Sequence, residues 1–203
     1  MALNYANNNS LSAITALPAS ISGGALTLLQ TQTASSSSTI SFTSNIDSTY
    51  DAYIFKFYNI HGATDQASFS FNGSIDSGSN YNTTKTTTFF RAFHTENDST
   101  ANLSYSTGRD LAQSTDFQIL GYNLNNDDDA NHSGSLQLFN PSSTTFVKHF
   151  ICSMSTIYRS GEPGAYNTYV AGYMNTTSAV DAVQFKMSSG NIDSGVIKLY
   201  GIS

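Results

Sequence analysis

Charge is scarce in this chain: Asp, Glu, Lys and Arg make up 11% of its 203 residues, against about a quarter in a typical soluble protein. What charge there is leans acidic, with 14 Asp and Glu against 8 Lys and Arg, a net −6 and an isoelectric point near 4.8. The basic residues stand singly from Lys56 to Lys198. A nucleic-acid binder needs a basic stripe to displace counterions from phosphates, so DNA and RNA are not expected partners. The lone cysteine, Cys152, excludes an intrachain disulfide and leaves the redox compartment open. No apolar run approaches the roughly 20 residues of a membrane helix. The opening MALNYANNNS has neither the basic nor the apolar region of a secretory leader. The expectation is a soluble, unsecreted protein without a membrane partner, whose sequons Asn72-Gly-Ser74 and Asn82-Thr-Thr84 are accidents of a chain rich in Asn, Ser and Thr.

Low charge with many hydroxyls could signal disorder, but 12 Tyr and 13 Phe supply ample apolar surface for a core. Their spacing is that of strands. In Ala67–Ile75, Ala67, Phe69, Phe71 and Ile75 face one way and Ser68, Ser70, Asn72 and Ser74 the other. A helix would scatter the phenylalanines around its circumference, whereas a pleated strand puts them on one face. Ile40/Phe42, Leu136/Leu138, Val183/Phe185/Met187 and Ile197/Leu199 repeat the two-residue period.

Two segments are apolar on both faces. Tyr53, Phe55 and Phe57 lie opposite Ile54, Tyr58 and Ile60; Phe146, Phe150 and Met154 lie opposite Val147, Ile151 and Ile157. Such a strand is either sandwiched between layers or covered by another chain. Tyr53, Phe55, Phe57, Phe146 and Phe150 are therefore candidates for a subunit interface, with side loops as the plainer cover. Turn-forming clusters at 76–80, 123–134, 140–144, 161–164 and 188–191 separate the strands. Their spacing gives roughly ten strands, as in an antiparallel β-sandwich of jelly-roll type. Helix is expected at most around 109–113 and 11–17.

Residues 1–24 differ from the domain expected over 25–203. Leu11, Ile14, Leu17, Pro18 and Ile21 punctuate a small, polar stretch that runs into Gly23-Gly24, a natural hinge. Fully extended, such a segment reaches roughly 80 Å, further than one domain's width. It reads as an extended N-terminal arm that docks on a neighbour, with an edge strand folded back on its own sheet as the equal alternative.

Catalytic patterns are missing. There is no G-x-S-x-G elbow and no glycine-rich phosphate loop. His149 and Cys152 are an odd number of residues apart, so a strand points them to opposite faces and Cys152 reads as core. His61, His94, His132 and His149 form no H-x-H or H-x-x-x-H pair, and no metal or other cofactor is expected. Asp127-Asp128-Asp129 with Asn131 and Ser133 has oxygen ligands at alternate positions, as calcium loops do. His132 stands where such a loop needs glycine and Leu138 where it needs the bidentate glutamate, so a solvated turn is the better reading. Asp76, Asp98 and Asp193 fall in turns, where Asp caps backbone groups, and the sequence singles out no acid pair for glycoside hydrolysis. Tyr81, Tyr105, Tyr122 and Tyr166 suit either sugar stacking or protein contact.

Four stretches carry a resemblance: Tyr53-Ile-Phe-Lys-Phe-Tyr-Asn-Ile-His61, Lys85-Thr-Thr-Thr-Phe-Phe-Arg-Ala-Phe-His94, Leu138-Phe-Asn-Pro-Ser-Ser-Thr-Thr-Phe-Val-Lys-His-Phe150 and Ser189-Gly-Asn-Ile-Asp-Ser-Gly-Val-Ile-Lys-Leu-Tyr-Gly-Ile202. Over most of 25–203 the chain resembles small virion structural proteins of tailed bacteriophages. The resemblance implies a non-enzymatic capsid decoration (cement) protein on the virion surface, bound to the major capsid protein lattice and forming a homo-oligomer, with a trimer favoured. A tail or fibre module that binds a host-surface glycan or protein is the alternative.

Overall fold

The structure, a computed structural model, describes residues 26–158, 161 and 163–202. The arm, and with it Leu11, Ile14, Leu17, Pro18 and Ile21 and the helix expected at 11–17, lies outside the described residues. No helix occurs among the described residues, and 109–113 is turn and loop.

Among the described residues twelve strands follow one another: β1 (Thr27–Ser37), β2 (Ile40–Phe42), β3 (Ala52–Gly62), β4 (Phe69–Ser74), β5 (Lys85–Thr95), β6 (Ala101–Tyr105), β7 (Gln118–Gly121), β8 (His132–Phe139), β9 (Lys148–Ile157), β10 (Gly164–Met174), β11 (Ala182–Met187) and β12 (Ile192–Ile202). All pairings are antiparallel. An eight-stranded wide sheet runs β1-β12-β3-β8-β9-β10-β5-β6, and a four-stranded narrow sheet runs β2-β11-β4-β7. The expected turns join strands, and Ser77, Gly78, Asn123, Asn140 and Gly190 in them take the positive φ that tight reversals require.

The two sheets pack face to face through phenylalanine rings. Phe185 of β11 lies 5.2 Å from both Phe55 and Phe57 of β3, and Phe71 of β4 lies 4.9 Å from Phe150 of β9. Edge-to-face pairs of this kind add about 0.5–1.5 kcal/mol each beyond the area they bury. Alternation is thus cashed out as predicted in β2, β8, β11 and the end of β12.

Three departures from the sequence reading have local causes. Ile60 belongs to the core, because a bulge at Asn59 (φ 51°) opposite Gly195 shifts the β3–β12 register and returns Ile60 to the inner face. A Cβ on Gly195, at φ +125°, would meet the Asn59 carbonyl oxygen at 2.7 Å. Ile75 lies past the end of β4 and is exposed. Ser70, Asn72 and Ser74, expected on a wet face, are buried under loops 75–84 and 106–117. Asn72 fastens both loops: its Nδ2 donates to the Tyr81 and Thr115 carbonyls, each at 2.8 Å. Its Oδ1 accepts from Lys85 Nζ at 2.6 Å and from Thr83 Oγ1 at 3.0 Å.

Candidate functional site

The outer side of the narrow sheet is covered by loops 75–84 and 106–117, whereas the wide sheet has an outer face with nothing packed on it among the described residues. Direct strand partners share a face, so Tyr105, Phe90, Tyr169, Ser153 and Ser135 form one outward row across β6, β5, β10, β9 and β8. Leu103 and Ala92 begin the next row, while Thr88, Ala171, Ile151 and Gln137 form the row on the other side. Phe90 and Tyr169 stack at 4.9 Å between ring centroids and 15° between planes. They are 41% and 36% exposed, Ile151 is 55% and Leu103 72%; Phe146, in the β8–β9 loop, is 68%. Exposed aliphatic and aromatic side chains gathered on one sheet face are the feature of this surface that calls for an explanation.

Charge is confined to the rim of the same area, where Asp110 meets the Tyr105 hydroxyl and Asp98 meets His94. No outward position of β5, β6, β8, β9 or β10 carries Asp, Glu, Lys or Arg. The next strands over, β3 and β12, bring Lys56 and Lys198 side by side, each held over a tyrosine ring. The face also carries depressions: one of ≈ 480 Å³ between His149, Ile151, Ala171 and Tyr173, and one of ≈ 520 Å³ beside Leu103, Ala92 and Ala165. Alanines at 92, 165 and 171 leave the hollows, and the large residues stand between them.

The interface candidates divide. Tyr53, Phe55, Phe57 and Phe150 are 0–1% exposed and form the chain's own core; Tyr53 Oη also ties down the 47–49 turn by bonding Asp47. Phe146 alone of the five is exposed. In the doubly apolar strands the exposed side is the opposite one, carrying Ile151 and Tyr58. Phe90 and Tyr169 were missed because β5 and β10 mix Thr, Asn and Ala among the apolar residues and show no clean alternation, whereas Leu103 was overlooked although Ala101-Asn-Leu-Ser-Tyr105 alternates strictly.

A second cluster sits at the β10–β5–β6 end of the inner surface. Tyr158 and Tyr166 stack at 4.9 Å, with Tyr122 at 5.9 Å and Phe93 at 6.0 Å from Tyr166. The Arg91 guanidinium lies 5.2 Å from the Tyr166 ring centre and donates to Tyr166 Oη. Arg109 lies 3.6 Å from the Tyr122 ring centre and donates to its hydroxyl. Neither guanidinium has a carboxylate partner among the described residues, and Arg109 Nε is shielded without an acceptor. Of the four tyrosines suited to sugar stacking or protein contact, Tyr166 is buried on β10, Tyr122 joins it here, Tyr105 ends β6 with its hydroxyl on Asp110, and Tyr81 lies in the 75–84 loop with its carbonyl bonded by Asn72.

The acids do turn work. Asp76 accepts from Ser74 Oγ at 2.6 Å and from Asn80 N and Nδ2 at 2.8 and 2.7 Å, which hold its carboxyl down at about 2. Asp98 pairs with His94 and Asp193 with His61. Asp127, Asp128 and Asp129 are exposed, with the Asp127 carbonyl closing a turn to Ala130 N. No group of three His, Cys, Asp or Glu that could hold a metal occurs among the described residues. Cys152 is buried on the inner face and His149 exposed on the outer, and burial pushes the thiol far above its usual range. In comparison with known proteins, no family model, no curated protein and no solved structure matches the chain.

Proposed function

We propose that this chain is a virion structural protein of a tailed bacteriophage, a non-enzymatic capsid decoration protein that attaches through surface contact rather than chemistry. The observation that carries the proposal is the exposed apolar and aromatic surface of β8-β9-β10-β5-β6, whose outward strand positions carry no charged residue. A soluble domain gains nothing by displaying Leu103, Ile151, Phe90 and Tyr169 together unless another protein covers them. The strand order supports a jelly roll. The run β1-β12-β3-β8 lies over β2-β11-β4-β7, so first strands pair with last in each sheet, as two nested Greek keys require. The hairpins β5–β6 and β9–β10 then widen one sheet and supply most of the uncharged face. In this reading the sandwich sits on the outer capsid shell, its partner is the major capsid protein lattice, and residues 1–24 reach across neighbouring subunits.

Two measurements test it. Quantifying the chain in purified particles should give hundreds of copies; a few to tens would move it to the tail. Deleting residues 1–24 should leave a folded, soluble domain that no longer decorates capsids, and normal decoration by the truncated chain refutes the arm.

The cluster of Arg91, Arg109, Tyr122 and Tyr166 favours a second reading, a tail or fibre module that binds a host glycan. Stacked phenols beside guanidiniums that have no carboxylate partner among the described residues suit an acidic sugar. Titration with a uronic-acid oligosaccharide, followed by tyrosine fluorescence, should show binding that Arg91→Ala and Arg109→Ala abolish; no binding by the parent chain removes this reading.

A further inference from the structure

We infer that the uncharged outer face of β8-β9-β10-β5-β6 is occupied by the same face of a second copy of this chain, as a two-fold pair. The inference rests on reading that face as a protein contact and deepens it by naming the occupant.

Charge is the first argument. Each copy carries a net −6, so two copies repel unless they meet where the charge is absent. A basic partner would instead be met by carboxylates, and the described acids that reach this face stand only at its rim, Asp110 on the Tyr105 hydroxyl, Asp98 on His94 and Glu96 beside Ala165. The bounding pair Lys56 and Lys198 marks where the uncharged field stops.

Size is the second. Strands of 5, 11, 11, 10 and 8 residues make up the face. At strand and residue spacings of ~4.8 and ~3.3 Å they offer roughly 700 Å². A stable protein pair uses about 800 Å² per partner. One copy therefore fills the face without leaving a large apolar remainder.

Position is the third. Phe90 and Tyr169 are the central residues of β5 and β10, and their stacked rings occupy the middle of the field. Binding energy concentrates in aromatic anchors at an interface centre, sealed by a less energetic surround. A two-fold contact also requires one surface to carry both projections and sockets. Leu103 and Ile151 project beside the alanine-floored depressions of the same face. This arrangement is a pair, in place of the trimer expected from the resemblance.

The test is light scattering of the full chain with sedimentation equilibrium at micromolar concentration. The expected mass is twice the 21.8 kDa chain, falling to the single-chain mass in Tyr169→Asp and in Ile151→Lys. Both residues point outward, so both variants should keep the parent's circular dichroism and melting temperature. A monomeric or trimeric parent, or a pair that survives both substitutions, overturns the inference. Particle attachment by the same variants separates the two claims. A monomeric parent whose Tyr169→Asp variant no longer attaches refutes self-pairing but keeps the docking face; undiminished attachment refutes both.

Discussion

Lys85 should make the protein more stable in mild alkali than at neutrality. Its side chain is fully buried at the start of β5, and Nζ donates to Asn72 Oδ1 at 2.6 Å and to the Thr83 carbonyl at 2.7 Å. Burial pushes its pKa down from 10.5 to about 7, against a weaker pull from Asp116. Between those two values the unfolded chain holds a proton that the folded chain has released, so stability rises with pH across the window and is flat below it. The ceiling is about 1.4 kcal/mol per pH unit. The two short hydrogen bonds to oxygen favour the ammonium, which trims the expected gain between pH 7 and 9.5 to about 2 kcal/mol. Lys85→Met removes the titrating group at some cost in stability, because the Thr83 carbonyl loses a donor. The assay is urea unfolding from pH 6.5 to 9.5, followed by tyrosine fluorescence since the chain has no Trp. Tyrosine ionisation is common to both proteins and cancels in the difference. Wild type should gain on the variant as pH rises; two curves that stay parallel refute the buried-ammonium argument.

Acid should act through His132, which burial holds at about 3 with Nδ1 against Thr156 Oγ1. As pH falls from 6.5 towards 3 the unfolded chain takes up a proton the folded one refuses, so wild type should lose stability relative to His132→Gln, and equal acid sensitivity of the two contradicts this. Phe185→Ala should cost about 3–5 kcal/mol in chemical denaturation, because that ring lies within 6.4 Å of five other phenylalanine rings; a loss under ~1 kcal/mol would mean the sheets are not packed through it. Cys152 should resist a water-soluble disulfide reagent in the native protein and react fully in denaturant, and rapid native labelling would contradict its burial on β9.

The core was legible because burial on one side of a strand writes a period of two into the sequence. Phe69/Phe71, Leu136/Leu138 and Val183/Phe185/Met187 all point inward as their spacing demands. β1 left no such trace: it is an edge strand, exposed or half-buried at all positions but Ala34, so no apolar period is needed. Buried polar residues hid for the opposite reason. Asn72, Lys85, Gln118 and Thr168 read as surface residues until the loops and the carbonyls they bond are in place, and for Asn72 and Thr168 those contacts lie more than 40 residues away, at Thr115 and Leu120. The exposed apolar face was less legible. The candidates named from the doubly apolar β9 segment were Phe146 and Phe150, of which only Phe146 is exposed, while Phe90, Tyr169 and Leu103 come from three strands whose adjacency the β9-β10-β5-β6 order supplies.

A reconstruction of the assembled particle at side-chain resolution tests the central claim most directly. The account predicts the chain on the outer shell in many copies, with Phe90, Ile151, Leu103 and Tyr169 covered by a neighbouring protein. A particle that holds the chain with that face open to solvent would contradict it.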